Sequence, residues 1–470
     1  SPRILLQGQL TGQPSRTALW AGDRMNVAAI TRESVFGAPI PVKISQPVTQ
    51  TQFLAYHAQH TGPGFNALND TAIVVRSLDA VFVRPGAFNA LYSEGQPVSL
   101  AAMNGRFINS FGQLVAGPSG RLGFTTSIRS AGGAGSTVVT RANDSGAFVS
   151  TSTSNVPTAS LLEGEPSPLS GIQFGQVAPR IGMEGANAIV CAGLTGDTSA
   201  NAGIFRLPST LLVRKGQVAP GVLPATATFR SFLGESTQRG LLFRATLTGT
   251  PASQNEGLWT IFNNAPLLVA QKGVQVPGLA TGLKFSRFLR YSGGLGSTAL
   301  IHATLSGPGV NSRNDGVLLL GTRFGDPDAS FSFRILIREG QTAPDTGGQT
   351  FGTILQFDQT ESPAANAAVI TTLTGAPANA NLALWSVRNL NDGRAVRQRL
   401  RKGSFHGAAG DTSPLASLKM LIPAEPTGAA NKGLGNPVGE DRTALVLTFS
   451  NRQIIAGPIK DLEAEPEPQP

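Results

Sequence analysis

For acid–base or metal chemistry this chain of 470 residues has only four histidines, one cysteine and a thin scatter of carboxylates. His57 and His60 could pair on a metal with a third ligand, but their spacing on a strand would point them to opposite faces. His406 has no comparable neighbour. His302 stands three residues before the Leu of a recurring motif, where other copies carry Arg244, Cys191 and Ile370. A position that accepts His, Arg, Cys and Ile is a packing position, which argues against a Cys–His nucleophile. Asp70, Glu163 and Asp197 read as isolated acids. Asp197 follows the motif glycine of its copy, whereas Gln13, Thr250 and Ala376 follow the others. Propeller glycosidases and lyases need converging acids with a tuned proton donor. These residues therefore predict no enzyme, no metal and no cofactor.

The densest charge is the run Arg394, Arg397, Arg399, Arg401 and Lys402, within a net charge of +9. On a strand, Arg397, Arg399 and Arg401 would share one face. That stripe predicts either docking to an acidic neighbour or polyanion, or an edge charged against unwanted pairing. No aromatic interleaves with it, so a specific nucleic-acid surface is not expected. The single Cys191 permits no internal disulfide. Asn69-Asp70-Thr71 and Asn143-Asp144-Ser145 are glycosylation sequons.

What must position these residues is a repeat. Leu10-Thr11-Gly12 is followed by Ala18-Leu19-Trp20, Leu247-Thr248-Gly249 by Gly257-Leu258-Trp259, and Leu373-Thr374-Gly375 by Ala383-Leu384-Trp385. In a fourth copy Phe205 replaces the tryptophan after Leu194-Thr195-Gly196. Gly-then-Pro linkers recur at Gly216 to Pro220, Gly273 to Pro277 and Gly340 to Pro344. Weaker ones stand near Gly37, Gly95, Gly164 and Gly403. Gly permits positive φ and Pro ends strand pairing, so the pair reverses the chain.

With Gly 56, Pro 32 and 14% charged residues, the pattern is all-β with frequent turns and no apolar run able to span a bilayer. Each unit reads as four strands. The first carries paired aromatics (Phe107/Phe111, Phe229/Phe232, Phe285/Phe288, Phe351/Phe357) and the second ends at Leu-Thr-Gly. The third ends at the tryptophan position, and the fourth leads into the next linker. This predicts a β-propeller of four-stranded blades over residues 1–422, seven blades with eight as the alternative. Six blades would be complete in themselves. The seventh would join an N-terminal piece lacking its first strand to Leu415 to Ile422, closing the ring. Residues 423–460 would then hold an insertion and a surplus hairpin, Thr443 to Phe449 and Gln453 to Ile459, ahead of an acidic Pro-rich tail at 461–470.

The Gly-x-x-Ala-Pro linker, Phe-x-x-Phe strand, Ala-Thr-Leu-Thr-Gly strand and Gly-Ile/Leu-aromatic strand resemble a repeat of secreted and surface-anchored bacterial proteins. The match is closest from Ala159 to Val387. The resemblance implies a β-propeller and leaves activity open. It also implies a C-terminal sorting or anchoring segment, where this chain has the polar run Asp461 to Pro470. The start at Ser1 is consistent with removal of an export signal. Together these features predict a secreted or cell-surface structural or adhesive protein, self-assembling into a homo-oligomer, filament or tube. Assembly would use the surplus hairpin through Leu445, Leu447, Phe449, Ile454 and Ile455. The alternative is a monomeric module that binds an anionic glycan or peptide, or the cell surface. The tryptophans are expected to be packing anchors.

Overall fold

A computed structural model describes residues 4–10, 13–22, 27–29, 43–50, 53–77, 89–96, 106–117, 120–130, 138–154, 156–236, 240–294, 298–323, 330–359, 366–387, 396–405, 413–420, 442–452 and 454–460. Among them there is no helix, and thirty strands form eight antiparallel sheets, six of four strands and two of three. Sheet A is β1 (Ile4–Leu10), β2 (Gln13–Gly22) and β3 (Val27–Ala29); sheet B is β4 (Lys43–Gln50), β5 (Phe53–Gln59), β6 (Thr71–Ser77) and β7 (Asn89–Ser93). Sheet C is β8 (Arg106–Gly117), β9 (Arg121–Ser130), β10 (Ser145–Thr151) and β11 (Ala159–Leu162). Sheet D is β12 (Phe174–Glu184), β13 (Asn187–Leu194), β14 (Ala202–Arg206) and β15 (Thr210–Arg214). Sheet E is β16 (Thr228–Ser236), β17 (Leu242–Thr248), β18 (Glu256–Phe262) and β19 (Ala265–Gln271). Sheet F is β20 (Lys284–Gly294), β21 (Thr298–Ser306), β22 (Gly316–Thr322) and β23 (Ser332–Arg338). Sheet G is β24 (Thr350–Gln359), β25 (Ala367–Thr374), β26 (Leu382–Val387) and β27 (Arg397–Arg401). Sheet H is β28 (Leu415–Met420), β29 (Arg442–Phe449) and β30 (Ile454–Lys460). Each sheet is a meander, and successive sheets stack as the blades of a β-propeller.

Among the described residues, six apolar clusters form the core, each lying between one sheet and the next, from B–C through G–H. Strands sandwiched in this way bury both faces, which explains their near-continuous apolar runs. Leu318, Leu319 and Leu320 of β22 are all buried.

The linkers repeat to the atom. Gly216 N–H donates to the Phe229 carbonyl at 2.8 Å and Phe229 N–H returns a bond to Gln217 at 3.0 Å. The same reciprocal pair joins Gly95 to Ile108, Gly164 to Phe174, Gly273 to Phe285, Gly340 to Phe351 and Gly403 to Leu415. All six glycines hold positive φ, from +72° to +87°. A Cβ at Gly216 would also sit 2.8 Å from the Ser199 carbonyl oxygen, so glycine is required twice over. The linker near Gly37 lies outside the described residues.

These bonds correct two first-strand readings. In sheet C the residue at the first apolar position is Ile108, paired with Ile128, and not Phe107. In sheet G the second position is Ile354, paired with Thr371, and not Phe357. The pattern is apolar-x-x-apolar with phenylalanine as one option, because each position fills an inter-sheet gap.

The expected composite blade is not formed by these strands. Leu415 pairs with Phe449 and Leu418 with Leu447, so β28 starts a sheet with β29 and β30. The C-terminal hairpin is thus the second and third strands of sheet H, and not a surplus after residue 422. Its apolar side chains explain why. Leu445, Leu447 and Phe449 are at most 1% exposed and pack on Leu415, Leu418 and Met420 together with Ile370, Leu384 and Leu400 of sheet G. Residues 423–441 and 461–470, the insertion and the tail, lie outside the described residues.

Candidate functional site

Successive sheets meet through their first strands: β4 touches β8, β8 touches β12, β16 touches β20 and β24 touches β28. Side chains tie these strands to their neighbours' backbones. Arg290 Nη1 donates to the Leu355 carbonyl at 2.6 Å, and Tyr291 Oη to the Gly234 carbonyl at 2.9 Å. Gln356 bonds both ways with Met420, at 3.3 and 2.9 Å. Ile181 N–H donates to Gln113 Oε1 at 3.2 Å. Around this inner ring the exposed charges have one sign. Lys43, Arg180, Arg230, Lys284, Arg287 and Lys419 are exposed on the first strands of sheets B, D, E, F and H. Among the described side chains of those strands no acid is exposed, since Glu184 is half-buried on Arg206 at 2.7 Å; on the first strand of sheet G, Asp358 is buried. Exposed cations gathered from several strands form a positive field able to hold an anion.

A second constellation sits where strand three begins and strand four ends. Backbone bonds identify one position before strand three in six sheets. The residues Asp70, Asp144, Asn201, Asn255, Asp315 and Asn381 each accept at their carbonyl from a backbone N–H at the C-terminal end of strand two, that of His60, Ile128, Leu194, Leu247, Leu305 and Leu373 in turn, at 2.7–2.8 Å. The residue before the linker glycine is equally conserved in place. Glu94, Glu163, Lys215, Lys272, Glu339 and Lys402 each donate N–H to the first residue of strand three, at 2.8–3.0 Å. The two positions are matched. Aspartate goes with glutamate in sheets B, C and F, and asparagine with lysine in sheets D, E and G.

Each combination closes its loop differently. Lys215, Lys272 and Lys402 donate Nζ to the carbonyls of Thr198, Ala252 and Ala378, each three residues before its asparagine. Lys215 also reaches Asn201 Oδ1 at 3.0 Å. In the acid sheets the loop holds itself. Asn69 Nδ2 donates to the Gly64 carbonyl at 3.0 Å and its Oδ1 accepts from Asn66 N–H at 2.7 Å. Asn143 and Asn314 repeat this on Val138 and Thr140, and on Gly309 and Asn311. The sequon asparagines Asn69 and Asn143 therefore have structural work to do in their own loops. With the loop satisfied, the glutamate turns to strand three: Thr71 N–H donates to Glu94 at 3.3 Å, Ser145 Oγ to Glu163 at 2.6 Å and Gly316 N–H to Glu339 at 3.3 Å.

Burial, with a hydrogen bond to Asp70 and that residue's charge, pushes the Glu94 carboxyl up to about 7. Burial raises Glu163 and Glu339 as well, with Asp144 and Asp315 adding to the effect. Asp70 moves the other way, held down chiefly by the amide of Gln59, which donates at 3.0 Å. The expectation that Asp70 and Glu163 do not recur is therefore wrong. Both belong to repeated positions, and the dipeptides Glu94-Gly95, Glu163-Gly164 and Glu339-Gly340 carried the signal. Asp197 is a capping acid at the start of its loop, accepting from Ser199 N–H at 2.8 Å.

The remaining candidates are placed as follows. His57, Thr125, Cys191, Arg244, His302 and Ile370 occupy one register position of strand two. This agrees with a packing role. Burial drives the His57 imidazole down to about 4, and burial with Arg290 beside it does the same for His302. His57 packs on Phe111 and His60 on Phe65, so they face different surroundings, and no group of three metal-ligating side chains occurs among the described residues. Arg397, Arg399 and Arg401 do not form a stripe. A register shift opposite Leu384/Trp385 places Arg399 at a bulge, where alternation fails. Arg399 donates to Ser386 Oγ, Arg401 to the Ala380 carbonyl and Gln349 Oε1, and Lys402 closes its loop. Arg397 alone is exposed. Arg394 and the side chains of Ile454 and Ile455 lie outside the described residues. Trp259, Trp385 and Phe205 share one position, are fully buried, and the two indoles donate to the Pro220 carbonyl at 3.2 Å and Thr371 Oγ1 at 2.9 Å. They are packing anchors; the side chain of Trp20 lies outside the described residues.

Residues 4–329 match a family of unknown function, DUF7453. No curated protein matches the sequence. Among solved structures, one of two prolyl endopeptidases is 10% identical with a TM-score of 0.39, over 89% of this chain and 47% of that one. An acylaminoacyl peptidase of Pyrococcus horikoshii is 10% identical with a TM-score of 0.39, over 95% and 55%. The Cps50 (Swd1) β-propeller domain of Myceliophteria thermophila is 10% identical with a TM-score of 0.30, over 90% and 100%. The chain thus spans about half the length of the two peptidases.

Proposed function

We propose that this protein, which belongs to the family of unknown function DUF7453, is an extracellular or cell-surface binding module for an anionic glycan, held at the inner ring of its propeller. One observation carries the reading: six cations from the first strands of five sheets are exposed there, with no exposed acid among the described side chains of those strands. Leu233 and Leu355, also exposed on first strands, would lie against the sugar faces. An extended polyanion suits charges spread over several sheets better than a small ion does. The carboxyl pairs flank strands three and four of separate sheets, each glutamate with its own partner on strand three, which suits structure better than glycoside chemistry.

The test is salt-dependent retention on immobilised heparin. Replacing Arg230, Arg287 and Lys419 by serine should strongly weaken retention and lower its salt slope by about one per residue removed. Replacing Arg397, Arg399 and Arg401 should leave retention nearly unchanged. The opposite ranking would sink this reading, and equal retention on polyglutamate would move the ligand class to acidic peptides.

The structural and adhesive reading has one observation in its favour. Within the described residues β30 pairs on one side only, with β29, so sheet H ends on an edge strand. A neighbouring molecule could extend it. Electron microscopy of concentrated protein separates the readings, since assembly gives fibres and a binding module gives discrete particles.

A further inference from the structure

We propose that sheets B, C and F are clasped by a proton shared within an Asp–Glu pair, that the lysine ammonium takes over this task in sheets D, E and G, and that the propeller is therefore built of pH-sensitive and pH-insensitive blades. The two clasps occupy identical backbone positions, fixed by the hydrogen bonds at Asp70 and Glu94 and their counterparts. Two carboxylates placed together repel unless a positive charge or a proton lies between them. Sheets D, E and G carry their cation covalently, as Lys215, Lys272 and Lys402, beside a neutral asparagine. Sheets B, C and F have no lysine at that place, and the first partner is aspartate.

Among the described residues, the cations near these pairs have other partners. Arg129 reaches over from sheet C to the Leu68 carbonyl at 3.4 Å. Arg106 is paired with Glu165 at 2.9 Å, and Arg338 Nε donates to the Asn314 carbonyl at 2.8 Å. Arg313 lies in the sheet F loop with its N–H on Asn311 Oδ1 at 2.9 Å. His60 meets Asp70 through its backbone N–H, at 2.7 Å, while its ring packs on Phe65. A proton is the simplest remaining bridge. The protonated glutamate donates to the aspartate, and on titration that proton leaves to water. Hydrogen bonding to Asp70 and Asp144 adds to burial in raising Glu94 and Glu163, whereas Asp315 acts on Glu339 through its charge, so sensitivity should rank B and C above F.

A glutamate raised in the folded state stabilises below its unfolded pKa and loses that contribution as pH rises through the folded value. For Glu94 the window runs from 4.5 to about 7. Asp70, held low, acts oppositely and only in acid.

Hydrogen exchange read by mass spectrometry tests this. Between about pH 5 and about pH 8, segment 60–96 should lose protection after correction for intrinsic rates, while segment 194–216 should not. Glu94→Gln should remove the loss in 60–96. The double change Asp70→Asn with Glu94→Lys should restore a clasp of the sheet D type, folded and insensitive over that range. Unchanged pH dependence in Glu94→Gln overturns the proposal. Should the variants fail to fold, carboxyl carbon NMR of the unaltered protein decides: one carboxyl of the Asp70–Glu94 pair must titrate near neutrality, and ordinary titration of both overturns it. Loss of the pH dependence on adding calcium alone would also overturn it, in favour of a metal bridge.

Discussion

Sheets D, E and G and sheets B, C and F share one backbone plan and solve one loop closure in two ways. The first group has short loops after Leu-Thr-Gly and ties each with a lysine to a carbonyl four residues before strand three. The second has loops that close on their own asparagine side chains, and it replaces the asparagine–lysine pair by aspartate and glutamate. The anchor position follows the same division in part. Phe205, Trp259 and Trp385 fill it in the lysine sheets, whereas Val74, Phe148 and Leu319 fill it in the acid sheets. The strand-two position holds His57 and His302 in acid sheets only. Repeats that must stack alike on their neighbours keep backbone bonds and vary side-chain chemistry in linked sets.

The comparison can be broken or sharpened by substitution. The largest effect is expected at the anchor: Trp259→Ala or Trp385→Ala should cost about 3–5 kcal/mol in chemical denaturation, and Val74→Ala clearly less. A cost for Val74→Ala as large as that for Trp259→Ala would remove the distinction between anchors. Next comes the acid limb. The buried histidines are neutral, with folded values near 4 against 6.5, so their stability is complete above 6.5 and lost as pH falls toward 4. For His57 this amounts to about 3 kcal/mol, and His57→Gln should flatten the thermal midpoint below pH 6.5. If the acid limb survives both His57→Gln and His302→Gln, the assignment to sheets B and F is wrong. Tyr291→Phe, which removes the bond to the Gly234 carbonyl between sheets F and E, should cost about 1 kcal/mol. Lys402→Met should cost about 0.5 kcal/mol with no pH dependence near neutrality. Arg397→Ser, at an exposed site, should stay within about 0.5 kcal/mol of the unaltered protein.

Much of the fold was legible because the repeat writes it locally. The linker glycines need positive φ, and the aromatic anchors need one buried site per sheet, so both recur at fixed points in the chain. The six complete blades expected from the linkers are the six four-stranded sheets. The first-strand pattern was legible only in outline. Phe107 and Phe357 look like its members, but Ile108 and Ile354 hold the register, because any apolar side chain of suitable volume fills the gap. The arginine run misled for a related reason. Alternation holds only in a regular strand, and a bulge opposite the anchor recurs in sheets B, D, E, F and G. The inner ring of cations left no run at all, since its members come from five strands far apart in the chain.

The sequence alone determined the all-β repeat, its described linkers and the burial of Trp259 and Trp385, because each follows from residue types within a few positions of one another. Tertiary structure decided the rest. Leu415 to Met420 could complete either terminal sheet by pattern, and burial of Leu445, Leu447 and Phe449 against sheet G settled its partner. Asp70 and Glu94 are unremarkable as isolated acids. They act on each other because strands three and four bring residues 24 positions apart to one place, where burial makes the approach of like charges expensive.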